Sequence, residues 1–268
     1  MGIVDTQRDW TMEWLPRLTP GARVRSTHAL ITREIAMNIF RGDYPQESTL
    51  PPENDLINEF RVSRTALREA LKTLAAKGLI ESKTKIGTRV LPSSFWNMFD
   101  PLILTWRIDV GIDTEFLIKL YEIRQALEPA AAAVAARRRT EVNLASMRVF
   151  LEAMERPGHN RFTYAEPDLH FHQEILMATA NPFFQSFTAV IEASILCAFQ
   201  VSAPIDSVER QHRSVERHAQ VLRAIAEGDA AGASAAMSQV IIEGLENANF
   251  SLAKTPVAVS LPLRMDAA

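Results

Sequence analysis

The chain has almost none of the residues that staple or sharply bend a polypeptide. Cys197 is its one cysteine, which excludes an internal disulfide and any cysteine-based zinc finger. Glycine is scarce, at 10 residues in 268, and long Ala-rich runs point to helix rather than sheet. No uncharged apolar stretch reaches the roughly 18 residues that a membrane span requires. The longest candidate, Ala189–Phe199, is too short and contains Glu192. Met1–Pro20 carries Asp5, Asp9 and Glu13 and lacks the apolar core of a signal peptide, so the cytoplasm is the expected compartment and no membrane partner is expected. A phosphate-cradling glycine loop, a dinucleotide fingerprint and a nucleophile elbow are all missing, which removes the commonest enzyme signatures.

What is present is a soluble composition, 47% hydrophobic and 23% charged, in a chain longer than one average domain. The net charge of −3 argues at first against a nucleic-acid partner. Divided along the chain it reads differently. Gly21–Pro92 holds 12 Lys+Arg against 8 Asp+Glu, net +4, whereas Ser93–Ala268 holds 15 against 21, net −6. A small basic domain (21–92) and a larger acidic one (95–250) are therefore expected, with a lead containing Trp10 and Trp14 and a frayed tail, Ser251–Ala268.

The basic part reads as three short helices and a hairpin. Ile31, Ile35 and Ile39 recur every four residues over Thr27–Arg41, and Gly42 follows as a stop signal. Leu50-Pro51-Pro52-Glu53 opens a second helix with Leu56, Ile57 and Phe60 on one face. Ser63 is a good N-cap for a third helix. That helix buries Leu67, Ala70, Leu71 and Leu74 on one stripe and presents Arg64, Thr65, Arg68 and Lys72 on the other, and Gly78 ends it. Leu79-Ile80, a turn at Lys83–Gly87, and Thr88–Leu91 then form a wing. A basic, amphipathic second helix after a tight turn is either an ordinary solvated face or a helix-turn-helix reader, and cap, turn and wing in this order favour the reader. Arg64 and Arg68 could bond guanine edges, while Ser63, Thr65, Lys72 and the wing residues Lys83 and Lys85 could hold phosphates.

These motifs, from Leu50-Pro51-Pro52-Glu53 through Val62-Ser63-Arg64, Leu67–Leu71, Leu74 and Gly78-Leu79-Ile80 to Gly87, resemble the winged helix of GntR-type bacterial transcription regulators. The resemblance implies that Arg64 and Arg68 contact DNA. Two positions depart from the pattern. The glycine usual before the Leu-Pro pair is replaced within Gln46-Glu47-Ser48, and Asn54 stands where many members place a DNA-contacting arginine.

The acidic part shows six or seven amphipathic segments, approximately Asp100–Asp109, Asp113–Arg138, Thr140–Glu155, Phe162–Thr179, Pro182–Ala203, Ser207–Glu227 and Asp229–Phe250, without a useful period-2 run. The fold class is thus mainly α, a winged helix-turn-helix followed by an all-α bundle. Asp168 and His172 lie one turn apart on one helix face, and His218 shares an inward stripe with Val221, Leu222 and Ile225. Such groups either satisfy one another in a core or converge on a divalent metal. Arg124, among Leu120, Tyr121 and Leu127, is either paired with Glu128 at i+4 or placed to meet an anion. Arg137-Arg138-Arg139 reads as a solvated helix end.

This part resembles the FCD effector domain of the FadR subgroup through Glu122-Ile123-Arg124, Leu127-Glu128-Pro129, Asp168…Phe171-His172, Asn181-Pro182 and His218…Gly228-Asp229. Trp96-Asn97…Asp100…Leu104-Thr105-Trp106 resembles the galactonate-operon repressors in particular. The family's metal is held by an Asp and three His. The resemblance carries three of these onto Asp168, His172 and His218 and brings the fourth to Val240. Three ligands could still hold zinc or nickel, with water or an effector carboxylate completing the shell. Alternatively, the same groups could bond a sugar acid directly.

The expected function is a homodimeric transcription regulator, most simply a repressor of sugar-acid catabolism. It would bind a palindromic double-stranded operator and release it on binding a small carboxylate at Arg124, Glu128, Asp168, His172 and His218. An acyl-CoA or other carboxylate sensor of the same architecture is one alternative. A metal-dependent hydrolase built on the Asp/His/His set is the other, though it leaves the basic domain unexplained.

Overall fold

A computed structural model describes residues 27–83, 87–201 and 204–254. These divide into two compact units that meet at Val110 and Gly111. The lead with Trp10 and Trp14, Lys85, and the tail beyond Lys254 lie outside the described residues.

The first unit opens with α1 (Thr27–Arg41), whose Ile31, Ile35 and Ile39 are all buried, as the four-residue spacing requires. Pro51-Pro52 precedes α2 (Glu53–Phe60), which ends at Arg61 in the left-handed conformation (φ 53°). This makes the tight turn into α3 (Arg64–Ala76). Ser63 Oγ caps α3 by accepting from Ala66 N at 3.1 Å, and Leu67, Ala70, Leu71 and Leu74 face inward. Strands β1 (Ile80–Lys83) and β2 (Gly87–Val90) pair antiparallel with Ile80 opposite Val90 and Lys83 opposite Gly87. The sequence reading missed a third, short partner. Residues 47–50 run beside β2, with Leu50 N donating to Thr88 O (2.8 Å) and Val90 N to Ser48 O (2.9 Å). Glu47, within the Gln46-Glu47-Ser48 stretch that departs from the family pattern, sits there with φ 67°, and its backbone carbonyl and carboxylate both accept from Arg89. These bonds hold a left-handed conformation that residues other than glycine adopt only at some cost.

From sequence, residues 95–110 were assigned to the second domain. In the structure they pack on the first unit. Trp96 closes over its hairpin with Nε1 donating to Leu91 O (2.9 Å) and meets Phe40 edge to face at 5.2 Å. Asp100 caps α4 (Pro101–Val110), accepting from Leu102 N at 2.9 Å. Ile103 and Trp106 of α4 join the core of α1 and α3. Two ion pairs flank that contact, Arg33 with Asp109 at 2.7 Å and Lys77 with Asp100 at 2.6 Å. The acidic partners on α4 escaped the sequence reading because nothing local ties them to residues 23 or more positions earlier.

In the second unit α5 (Thr114–Arg138) is central and packs against α7 (Arg161–Ala178), α9 (Thr188–Val201), α10 (Val208–Glu227) and α11 (Ala230–Lys254). The remaining long helix, α6 (Glu141–Glu155), begins with a Thr140/Asn143 capping box and lies on α7 and α10. Tyr121 of α5 lies against Gly244 of α11, where a Cβ would stand only 3.0 Å from the phenol oxygen, so glycine leaves room for the ring between the two helices. The segment expected as one helix, Pro182–Ala203, is instead broken. A four-residue α8 (Pro182–Gln185) precedes α9, and the hydroxyls of Ser186 and Thr188 bond back to the carbonyls of Pro182 and Gln185 at the break. Pro182–Val201 is long and apolar enough to cross a membrane by composition alone. In the bundle it is broken at Ser186 and more than half buried. The arginines at the end of α5 are not merely solvated. Arg138 donates to Thr179 O (3.0 Å) and Arg139 to Ala226 O (2.8 Å), closing the C-terminal ends of α7 and α10.

Gly78 supplies a test of the first unit. Its φ is +77° and an added Cβ would lie 2.1 Å from the carbonyl oxygen of Phe95, a backbone atom that cannot swing aside. Gly78→Ala is expected to destabilise this unit by about 2 kcal/mol or more, through strain and steric overlap together. Chemical denaturation monitored by tryptophan fluorescence reads it; a loss below about 0.5 kcal/mol would contradict the packing of residues 95–96 on the end of α3.

Candidate functional site

Two clusters of functional groups stand apart, one in each unit. On the first, Ser63, Arg64, Thr65, Arg68 and Lys72 all lie exposed along the outer face of α3, and Lys83 lies exposed on β1. The amphipathic pattern dictates this, since Leu67, Ala70, Leu71 and Leu74 fill the inner face. The cations have neighbours the sequence reading did not pair with them. Arg64 Nη2 donates to Asn54 Oδ1 (2.8 Å), Arg68 Nε to Glu53 Oε2 (3.3 Å), Lys72 Nζ to Glu69 (2.8 Å), and Lys83 forms an ion pair with Glu81 (2.8 Å). Exposed pairs of this kind are weak and exchange readily for phosphate oxygens.

In the second unit α5, α7 and α10 bring Arg124, Glu128, Asp168, His172 and His218 together, all buried. The Asp168/His172 pair arises from one-turn spacing on α7, as expected. His218 reaches it because α10 turns its Val215, Val221, Leu222 and Ile225 stripe inward. Asp168 Oδ1, His172 Nε2 and His218 Nε2 converge. His218 Nε2 is 3.1 Å from Asp168 and 3.4 Å from His172 Nε2, and the three donor atoms lie within 4.8 Å of one another.

The outer nitrogens of both imidazoles are committed. His218 Nδ1 donates to Ser214 O at 2.7 Å, and His172 Nδ1 donates to Glu128. Burial, the largest influence on Glu128, pushes its carboxyl up. The charge of Arg124, followed by that of His172, outweighs this and holds it at about 2, so the carboxylate is ionised and accepts from both neighbours. Asp168 is likewise drawn down, its burial overcome by the hydrogen bond and charge of His218. With Nδ1 committed in each ring, the Nε2 atoms of His172 and His218 converge beside the Asp168 carboxylate, where a shared proton or a cation would bridge the three. Oriented imidazoles with their far nitrogens on carboxylate and carbonyl are the outer-shell pattern of a metal site. The residues fit a divalent ion as three ligands; Val240, beside them, offers no donor.

The sequence reading left two possibilities for Arg124, and the structure shows the ion pair. Nε donates to Glu128 Oε1 (2.5 Å), Nη1 to Ser194 Oγ (3.2 Å), and Nη2 approaches His172 Nε2 (3.5 Å). Its guanidinium also stacks over Tyr121, at 5.2 Å from the ring, and desolvation raises that phenol to about 12, so it stays protonated as a donor. These groups form one end of a cavity of about 70 Å³ that opens to solvent. The rest of the lining mixes apolar residues, Ile195, Ala198 and Phe199 of α9 among them, with Arg210, Ser214 and Arg217 of α10 and Glu243 and Asn247 of α11; the sequence reading had picked out none of these polar groups. The available signal was the spacing of Arg210, Ser214, Arg217 and His218 at i, i+4, i+7 and i+8. This is one helical face, but it reads as solvated charge until α11 is laid beside it.

Comparison with known proteins assigns each unit a family resemblance. The model of the bacterial regulatory proteins, gntR family, matches residues 28–90, and that of the FCD domain matches residues 119–243. The Escherichia coli K12 uncharacterized HTH-type transcriptional regulator YieP is 34% identical over 206 residues, covering 75% of this chain and 87% of its own. The galactonate operon transcriptional repressor of the same organism is 32% identical over 166 residues, covering 62% and 72%. Among solved structures, Lar, which controls expression of the Listeria monocytogenes agr system, superposes with a TM-score of 0.60 at 20% identity, covering 84% of this chain and 98% of its own, and so shares the fold.

The buried ion pair yields a quantitative expectation. Glu128→Gln leaves the Arg124 charge uncompensated and weakens the acceptor of His172, and it should cost about 3–5 kcal/mol in thermal or urea unfolding. The apolar double replacement Arg124→Met with Glu128→Leu should recover part of that loss. A single variant as stable as the native protein would show that the pair carries no structural burden.

Proposed function

The chain belongs to the GntR family of bacterial regulatory proteins, with an FCD domain as its second unit, and on that premise we propose that it is a ligand-released repressor of sugar-acid catabolism, acting as a homodimer on a palindromic operator. It is a DNA-binding transcription regulator and not an enzyme. The observation that carries the finer reading is the cavity of the helical unit. Its lining of guanidinium, imidazole, carboxylate, phenol and amide groups suits a small ligand with one acid group and many hydroxyls. Two supports stand beside it, the residues 96–106 that resemble the galactonate-operon repressors and the relative named for that operon. The charged groups in this lining, Arg210, Arg217 and Glu243 beside Asp168, His172 and His218, favour a hydroxylated acid over the acyl chain of an acyl-CoA.

In this proposal Arg64 and Arg68 read base edges while Ser63, Thr65, Lys72 and Lys83 hold phosphates, and Lys85, outside the described residues, would join them by the sequence reading alone. Arg124, Glu128, Asp168, His172 and His218 form the inner end of the effector site. Asp168, His172 and His218 would hold a zinc or nickel ion, which when bound supplies a Lewis-acidic attachment point for effector oxygens. Glu128 and the Ser214 carbonyl keep both imidazoles turned for that task. Effector binding must favour one dimer conformation over the other to shift operator affinity.

Three measurements test the proposal. Arg68→Ala should weaken binding to duplexes selected from a random pool by about 10- to 100-fold and relax preference at one base position, while leaving effector binding intact. Unchanged DNA affinity would refute its place in the reading face. In a thermal-shift screen D-galactonate at saturating concentration should stabilise the protein, by about 2.7 kcal/mol at a hundredfold excess over Kd, and release selected DNA. Stabilisation by acyl-CoA and not by sugar acids would overturn the effector class. Elemental analysis of the native protein should find about one zinc or nickel per chain, and none would leave the trio to bond the ligand unaided.

A further inference from the structure

Arg124 is the guanidinium that the sequence singles out for an acid, yet all three of its nitrogens are engaged, by Glu128, Ser194 and His172. Arg217 of α10 lines the same cavity in a different state. Its Nε donates to Glu243 Oε2 at 3.3 Å, and its side chain is 37% exposed. Its terminal Nη1 and Nη2 make no hydrogen bond or ion pair among the described residues. An arginine held through Nε presents its Nη pair as a planar fork, which takes a carboxylate end-on through two parallel bonds. Arg210 lines the cavity two turns earlier on the same face of α10, with Ser214 between them, so this wall adds positive charge and a hydroxyl group.

We propose that Arg217 is the residue that binds the effector's carboxylate, and that the ligand is a polyhydroxy monocarboxylate lying with its acid at Arg217 and its hydroxyls at Asp168, His172 and His218. This rests on the acid-effector reading above and specifies its orientation. The inner cluster is suited to hydroxyls because Asp168 accepts from them and the Nε2 atoms either accept or share a metal with their oxygens. Either state takes neutral oxygen, so the assignment depends on which guanidinium has a free fork and not on metal occupancy. Glu243 steadies Arg217 through Nε, but it also places a carboxylate beside the incoming one. That neighbour opposes a second acid group and limits the ligand to one. A neutral polyol lacks the partner for the fork, and a plain aliphatic acid lacks partners for the inner cluster, so both halves of the ligand are read.

Isothermal titration of the full-length protein with D-galactonate, galactitol and hexanoate tests this. Galactonate should bind at least about tenfold more tightly than either of the others. Arg217→Gln should weaken galactonate by about tenfold or more and leave the weak galactitol binding unchanged, and Arg217→Lys should recover part of the loss, since it restores charge without the fork. Glu243→Gln should act with the opposite sign and tighten galactonate by about threefold. Circular dichroism verifies that each variant is folded, and should the Arg217 variants not fold, the sign of the Glu243→Gln effect decides. Galactonate bound within twofold of the native affinity by Arg217→Gln, or weakened by Glu243→Gln, overturns the Arg217 assignment and leaves the acid-effector reading standing. Failure of the native protein to bind any sugar acid overturns both.

Discussion

A charged guanidinium in the middle of a helical bundle must be paired, and the second unit is arranged around that requirement. Arg124 and Glu128 lie one turn apart on the central helix and are almost fully buried, so each would be prohibitive alone. Glu128 has two oxygens, and the second accepts from His172 Nδ1, which orients that ring and leaves its Nε2 beside Asp168 and His218. His218 is set in the same way by the carbonyl of Ser214. The ion pair, the two ring orientations and the convergence of three donor atoms are thus one connected network. Its cost is offset by the bonds among its members, the condition under which a buried polar network gives a unique arrangement and not a source of disorder.

That network has a functional corollary. The arginine most conspicuous in the sequence is already bonded to Glu128 and Ser194, whereas Arg217 is anchored through Nε alone. In the proposed orientation the inner cluster would act through oxygen contacts or through a metal, and the outer wall through charge. The cavity is lined from α5, α7, α9, α10 and α11, so a ligand held there would bias how those five helices pack.

The reading head follows a different economy. Its order comes from backbone devices: the Ser63 cap, the left-handed Arg61, the close approach at Gly78, and the bonds that hold Glu47 at positive φ. The charges on its outer face are exposed and only loosely paired, with Glu53, Asn54, Glu69 and Glu81 as neighbours. Such pairs cost little to break when phosphate arrives. Residues 95–110 belong to this unit by packing, with Trp106 and Ile103 in its core and Arg33–Asp109 and Lys77–Asp100 at the edges.

Periodicity and capping made most of the architecture legible in the sequence. The isoleucines of α1, the Leu67–Leu74 stripe and the Ser63 cap are local patterns, and helix or turn at those positions follows from interactions within a few residues. The same holds for the inward face of Asp168 and His172, one turn apart on one helix, and for the charge asymmetry that separates a basic head from an acidic bundle. Tertiary structure alone decided that α4 joins the head, that the Pro182–Val201 stretch breaks at Ser186, and that Arg124 is spent on its neighbours. It also decided that Arg217 faces a cavity. Each of these depends on contacts between residues far apart in the chain, where no spacing rule reaches, and on which polar groups find a partner once water is excluded.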